Sequence, residues 1–437
     1  AAVTSAAAKR ESGVGITVSV LSFANYGIFC VIGIVLARLL APEEYGRYGS
    51  AVAFATLAAT FATLGLEKQA LRLLPAFALR GEWSLLRGYL VLSLIVCVAL
   101  GAAIGLVAGP GLDEIRPPPN ARGAFTAVMI YLVPVTLFCM LVEVLTSFGR
   151  PLASTATYRL ALPLSILAAC GAIAWLDDRD AVHAVHAWGI GWCAALALLV
   201  ALVWRAMPDG VRGAAAQLRS RAWIGGGVSY LSFSLIMTAF VQAPLIVLGL
   251  AHEDRAGIGV FTAAMQLAGF VTIIQTATTR VYAPRLSQLI EAGDTEAERR
   301  LMAGRNALLG VMSIAFVAAV AVFGRELLSL FGSGYERGER TLLVLSAGNA
   351  VNTVLGFAPW WLQFKGRHAL VLAVSGIGCA AAIGGMWWAA SSMHWEAVAW
   401  SYSIGLSATF AALHWSVILT RRAGTAAVTS AAQPPRG

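Results

Sequence analysis

Val18-Ser19-Val20-Leu21-Ser22-Phe23 returns 210 residues later as Val228-Ser229-Tyr230-Leu231-Ser232-Phe233. The match runs on without a gap. Ala41, Glu43 and Gly49 meet Ala251, Glu253 and Gly259; Glu44 meets Asp254; Ala53, Leu57 and Ala58 meet Ala263, Leu267 and Ala268. Thirteen of the 43 positions from 18 to 60 are identical, well above what a shared bias toward Ala, Leu and Val produces. The two copies are separated by six apolar runs, an even number, so both thread a membrane in the same direction. That is a parallel repeat, which predicts two six-helix lobes about an axis along the membrane normal.

The membrane itself follows from composition. Of 437 residues, 59% are hydrophobic and 12% charged, against about 25% charged in an ordinary soluble domain. The mean hydropathy is +0.76. A soluble globular enzyme of this size needs more charge to cover its surface, and a disordered or fibrous chain is excluded as well. Apolar runs of about 20 residues favour helices over the ~10-residue alternating strands of a barrel. Twelve spans are predicted, at 14–40, 48–66, 87–108, 123–147, 153–176, 184–205, 225–250, 258–279, 304–324, 340–363, 368–390 and 397–420. The fold class is an all-α polytopic membrane protein. Its organisation is a tail 1–13, a first lobe 14–205, a basic Gly-containing linker 206–224, a second lobe 225–420 and a tail 421–437. The first run reads as a retained span, too long for a signal-peptide core.

Loop charge sets the orientation. With the N-terminus in the cytoplasm, 22 of the 31 basic residues fall inside and 9 outside, as positive-inside bias requires. Both termini are then cytoplasmic. The net charge of +9 suits loops facing an anionic leaflet of membrane lipids, and no aromatic-interleaved basic stretch points to nucleic acid. The six cysteines all sit in apolar runs, none in a CxxC pair, and read as small buried hydrophobes. No cofactor or metal pattern occurs: His183 and His186 share one loop without an HxxxH or HExxH arrangement.

Three segments carry a resemblance: LARLLAPEEYGRYG (36–49), LGLEKQALRLLP (64–75) and LLSLFGSGY (327–335). With twelve spans and a 6+6 repeat, the chain resembles the polysaccharide transporter family of the multidrug/oligosaccharidyl-lipid/polysaccharide exporter superfamily, the Wzx-type flippases. The resemblance covers roughly residues 14–420. It implies transfer of an undecaprenyl-pyrophosphate-linked oligosaccharide between leaflets by alternating access, without an enzymatic step. It also implies a V-shaped cavity lined by spans 1, 2, 7 and 8, with contributions from 4, 5 and 10, and polysaccharide polymerase or assembly proteins as partners.

Such cargo needs fixed cations for phosphates and neutral hydrogen-bonding groups for hydroxyls. Arg159, about two turns into span 5, is the most informative candidate, since a charge at that depth faces a cavity or a partner. Glu143 lies as far before Pro151 as Arg159 lies after it, so the two reach similar depth; a structural Glu143–Arg159 pair and a cavity role are both open. Lys68 and Arg72 share a face at the inner end of span 2, and Arg280 ends span 8; they draw a pyrophosphate or anchor the helices. Arg38 ends span 1 on the outer side, where the bias opposes Arg. Asn25, Gln242, Asn349 and Asn352 lie within spans and bond sugars or neighbouring helices. Pro134, Pro163, Pro244 and Pro359 predict kinks. Asp177, Asp178 and Asp180 form a dense acidic run in the turn after span 5, which suits a membrane glycosyltransferase or ligase, or a solvated turn. A drug or metabolite antiporter and a non-transporting scaffold are the other readings of the same fold.

Overall fold

In hydrocarbon every backbone N–H and C=O must be bonded within the chain, so apolar runs of this length become helices. The computed structural model describes residues 2–115, 123–175, 179–251, 254–392 and 394–431, with side chains from Val20 onward except those at 115, 280, 281, 284 and 423–431. No strand occurs among the described residues. The first lobe comprises α1 (Ala2–Leu39), α2 (Pro42–Ala62), α3 (Leu66–Arg80), α4 (Trp83–Ile115), α5 (Ala124–Met129), α6 (Leu132–Ser147), α7 (Pro151–Ala156), a π-turn (Thr157–Ala161), α8 (Leu162–Ile173) and α9 (Ala181–Ala206). A short α10 (Asp209–Gly213) lies in the linker. The second lobe comprises α11 (Ser220–Ala251), α12 (Arg255–Ala268), α13 (Val271–Glu291), α14 (Thr295–Ser329), a 3₁₀ turn (Tyr335–Gly338), α15 (Glu339–Leu355), α16 (Ala358–Phe364), α17 (His368–Ser392) and α18 (Glu396–Ala431). Among the described residues eleven stretches are long and apolar enough to cross a membrane, and α2 with α3, bent by 41°, brings the count to twelve where the pair is taken as one span.

The breaks have local causes. Leu64 and Gly65 both take positive φ, 53° and 70°, which ends α2 and swings α3 aside. Gly65 also lies against the Gly227 carbonyl of α11, where a side chain has no room. Pro163 lacks the N–H that Arg159 O would accept, and the backbone answers with a π-type bond from Leu162 N–H to Thr157 O, the single-turn widening that recurs at functional sites. Pro359 opens α16 just after the break in span 10, and Pro134 lies in the first turn of α6 beyond the break at Ile130–Tyr131. Pro244 sits inside an unbroken α11.

The lobes meet along α2, whose buried residues other than Tyr45 are all Gly, Ala or Ser. Small residues let helices approach closely where no hydrophobic force separates protein from lipid. At the end of the bundle carrying Pro42, a methyl at Gly46 would lie 2.6 Å from the Gly259 nitrogen, and Gly259 abuts the Pro42 carbonyl. Gly49 and Gly259 are repeat partners, so the repeat is packed on itself here. Tyr45 donates to Gln266 at 3.0 Å, Gln266 donates to the Phe29 carbonyl, and Arg38 Nε donates to the Leu330 carbonyl at 2.7 Å. At the opposite end, which carries Gly81, α3 packs on α4, α6 and α11, whereas α13 packs on α14, α15, α16 and α1. The linker is strapped to the first lobe: Arg87 donates to the Arg212 and Ala214 carbonyls, and Gln217 N–H to Ser84 O.

Candidate functional site

A cavity of 730 Å³ lies on the inner side of the first lobe, bounded by α1, α2, α3, α6, α7, the π-turn and α9 and closed by the middle of α11 from the second lobe. Four charges line it: Glu67, Lys68, Glu143 and Arg159. Hydroxyls ring them, from Thr56, Thr60 and Thr63 on α2 to Ser234 and Thr238 on α11. Trp188, Trp192 and Tyr158 supply aromatic walls.

Each charge is placed by a distinct piece of backbone. The bend at Leu64–Gly65 turns α3 so that Lys68 reaches across to α6, where its ammonium meets Glu143 Oε1 at 2.6 Å. Ser147 ties the same two helices by donating to Ala70 O at 3.3 Å. Glu67 faces the cavity from the first turn of α3. It is 7% exposed, and its Oε2 has no hydrogen-bond partner among the described residues. Arg159 sits on the π-turn, its guanidinium carbon 5.8 Å from the Tyr158 ring centre. Trp188 and Trp192 stand 5.5 Å apart, and Trp192 meets Phe138 edge-on at 5.1 Å.

Glu143 therefore pairs with Lys68, and the expected Glu143–Arg159 pair is corrected. Equal depth brings both residues to one cavity, but depth does not fix the direction in which each side chain points. The bend before α3 delivers a nearer cation. Lys68 is likewise part of the cavity wall.

The other candidates disperse. Arg72, one turn beyond Lys68, is exposed and outside the cavity lining. Arg280 lies on α13 with its side chain outside the described residues. Arg38 is spent on the Leu330 carbonyl between lobes. Asn349 donates to Ala268 O at 3.1 Å and accepts from Tyr402 at 3.3 Å, which is helix packing. Asn25 is buried, and its Oδ1 and that of Asn352 have no partner among the described residues. Gln242 is half-buried on α11, outside the lining. Asp177 and Asp178 lie outside the described residues. Asp180 caps α9 by accepting from His183 N–H at 2.9 Å. His183 Nδ1 lies 2.8 Å from the same carboxylate, and His186 Nδ1 lies 2.9 Å from the Tyr131 hydroxyl.

The second lobe buries charge differently. Glu298, 2% exposed, accepts from Trp361 Nε1 at 2.9 Å and from Lys365 Nζ at 3.0 Å. Arg305, fully buried, lies over the Phe357 ring at 4.5 Å and donates to Val354 O at 3.4 Å. That carbonyl belongs to the last turn of α15, where unsatisfied acceptors and the helix dipole favour a cation. Sequence reading missed Glu67, Glu298 and Arg305 as interior charges. Glu67 and Arg305 lie at the ends of predicted spans and Glu298 in the loop before one, where charge is read as interfacial.

With this geometry in hand, comparison with known proteins places the chain. The fold matches an inward-facing multidrug resistance MATE family transporter of the MOP superfamily, with a TM-score of 0.75 at 14% identity over 96% of this chain and 100% of that one. An outward-facing MATE structure gives 0.58 at 14% identity, over 94% and 95%. The lipid II flippase MurJ, inward closed, gives 0.69 at 11% identity, over 92% and 87%. No curated protein sequence matches the chain significantly. Residues 13–290, more than half the chain, match the family described as polysaccharide biosynthesis protein. The chain is therefore a multi-pass membrane protein with the MOP-superfamily fold, and it belongs to the polysaccharide biosynthesis protein family.

Proposed function

We propose that this protein flips a lipid-linked oligosaccharide, carried on undecaprenyl pyrophosphate, from the cytoplasmic to the periplasmic leaflet of a bacterial inner membrane. The observation that carries the reading is the first-lobe cavity, where Lys68 and Arg159 stand among hydroxyls and tryptophans. Arg binds phosphate oxygens in a fork and keeps its charge. Hydroxyls exchange hydrogen bonds with sugar hydroxyls, and aromatic faces cover the apolar faces of sugar rings. The Lys68–Glu143 pair holds the ammonium at the cavity wall until a phosphate displaces the carboxylate.

The Gly81 end, with the basic loops, faces the cytoplasm in this reading, and both termini lie there. Closure at the Pro42 end then makes this the state that loads from the inside. Rocking the lobes about α2 would open the gate of Gly46, Gly259, Tyr45, Gln266 and Arg38 toward the periplasm. The product would feed polysaccharide polymerase or assembly proteins in exopolysaccharide or O-antigen synthesis.

One observation favours a second reading. Glu67 and Glu143 give the cavity as many acids as cations, which suits an antiporter for a drug or metabolite. Proteoliposomes carrying a fluorescent undecaprenyl-pyrophosphate oligosaccharide separate the two. Protein-dependent appearance of the sugar in the opposite leaflet supports flipping. Its absence across several sugars, with uptake of cationic dyes instead, supports antiport.

A further inference from the structure

A second large hollow, 840 Å³, lies between α15 and α18 and shares no residue with the first-lobe cavity. Its walls include Val351, Trp400 and Ile404, all exposed on the surface that a multi-pass protein turns to lipid. Charge occurs at one end only. Arg340 and Glu396, in the first turns of α15 and α18, flank the mouth at the Pro42 end. Below them the lining is apolar or small. The floor is where the helices touch: a methyl at Gly348 would lie 2.6 Å from Ser403 Cβ, and the Ser403 hydroxyl is spent on Val344 O at 3.0 Å. Both helices run from the mouth inward. At about 1.5 Å per residue, Val351 lies roughly 16 Å below Arg340, and Ala411 roughly 22 Å below Glu396. One leaflet of hydrocarbon is about 15 Å thick. The groove is therefore one leaflet deep, open to lipid and polar only at the water level.

Thr341 supplies an independent pointer. It is 1% exposed and lines the groove at the mouth, and its hydroxyl has no partner among the described residues. A buried hydroxyl without a partner costs about 1–3 kcal/mol, which a ligand acceptor would remove.

We infer that this groove holds one acyl chain of a glycerophospholipid with a primary-ammonium head group. The phosphate sits at the Arg340 guanidinium, the ammonium at the Glu396 carboxylate, and an ester carbonyl accepts from the Thr341 hydroxyl. The paired opposite charges select this head. Phosphatidylglycerol and polyprenyl phosphates bring only negative charge and face Glu396 uncompensated. A choline head has no N–H to donate to that carboxylate. The site is a lipid-binding site on the second lobe, separate from the cargo path, and it stands whether or not the proposed cargo is right.

Native mass spectrometry after purification from nanodiscs of equal phosphatidylethanolamine and phosphatidylglycerol tests it. Wild type is expected to retain phosphatidylethanolamine in preference. Glu396→Gln should cut that preference about fivefold, the effect of one interfacial charge. Ala408→Leu fills the groove from an exposed position and should abolish retention, with an unchanged melting curve. Equal retention of both lipids by wild type overturns the inference. So does an Ala408→Leu protein that keeps phosphatidylethanolamine as wild type does, or a Glu396→Gln protein with undiminished preference.

Discussion

The two lobes share a repeat and a helix order, yet they treat buried charge in opposite ways. In the first lobe Glu67, Lys68, Glu143 and Arg159 face a cavity, and Glu67 keeps an oxygen without a partner among the described residues. In the second lobe Glu298 is held by Trp361 and Lys365, and Arg305 meets the broken end of α15 through one nitrogen, its Nε and Nη2 having no hydrogen-bond partner among the described residues. The first arrangement leaves charges for something that enters. The second uses Glu298 in holding helices together and keeps Arg305 away from solvent against the Phe357 ring. A repeat preserves the frame of packing, and the use of each interior charge is decided by local breaks, chiefly the bend before α3 and the π-turn under Arg159.

If that contrast is right, second-lobe charges govern stability and first-lobe charges govern transport. Glu298→Ala should have the largest effect on stability, about 3 kcal/mol. It leaves Lys365 and the Trp361 N–H without their acceptor, and Lys365 keeps some access to solvent. A thermal-unfolding series in detergent reads this directly, and an unchanged melting temperature would erase the contrast. Gly259→Leu comes next. It forces a side chain against the Pro42 carbonyl and should cost about 1–3 kcal/mol while parting the lobes. Spin labels at Arg38 and Leu330 should then report a longer, broader distance. Asn349→Ala strands the Tyr402 hydroxyl and the Ala268 carbonyl, a loss of about 1–2 kcal/mol in the same melting assay. Lys68→Ala should be the mildest for stability, below about 1 kcal/mol, because the pair is half open to solvent. Its flipping rate should nonetheless fall about tenfold. A Lys68 variant that melts early and flips normally would invert the comparison.

The twelve spans and the repeat were legible because apolar period and length are set by the bilayer, and these are properties of sequence alone. Gly49 and Gly259 were visible as repeat partners, and they do form the lobe contact. Direction was not legible. Arg159 and Glu143 do line one cavity, but the partner of Glu143 is Lys68, because Leu64 and Gly65 take positive φ and re-aim α3. No composition signal announces a non-glycine residue at φ 53°. Asn349 and Asn352 both read as amides within span 10, open to sugars or to neighbouring helices. The structure engages Asn349 with Ala268 and Tyr402, since one turn of depth decides which neighbour is met. Glu67 escaped notice because a charge beside Lys68 at a span's end reads as interfacial until the helix is seen to continue beyond the bend.

The most direct test of the central claim is the flipping rate of Arg159→Ala in proteoliposomes carrying a fluorescent undecaprenyl-pyrophosphate oligosaccharide, measured beside its melting temperature. The account predicts wild-type stability with flipping reduced at least about tenfold, the loss of one charge-assisted phosphate contact of about 1.5–3 kcal/mol. A variant that flips at the wild-type rate would remove Arg159 from the path and contradict the reading of the first-lobe cavity as the place where cargo is held.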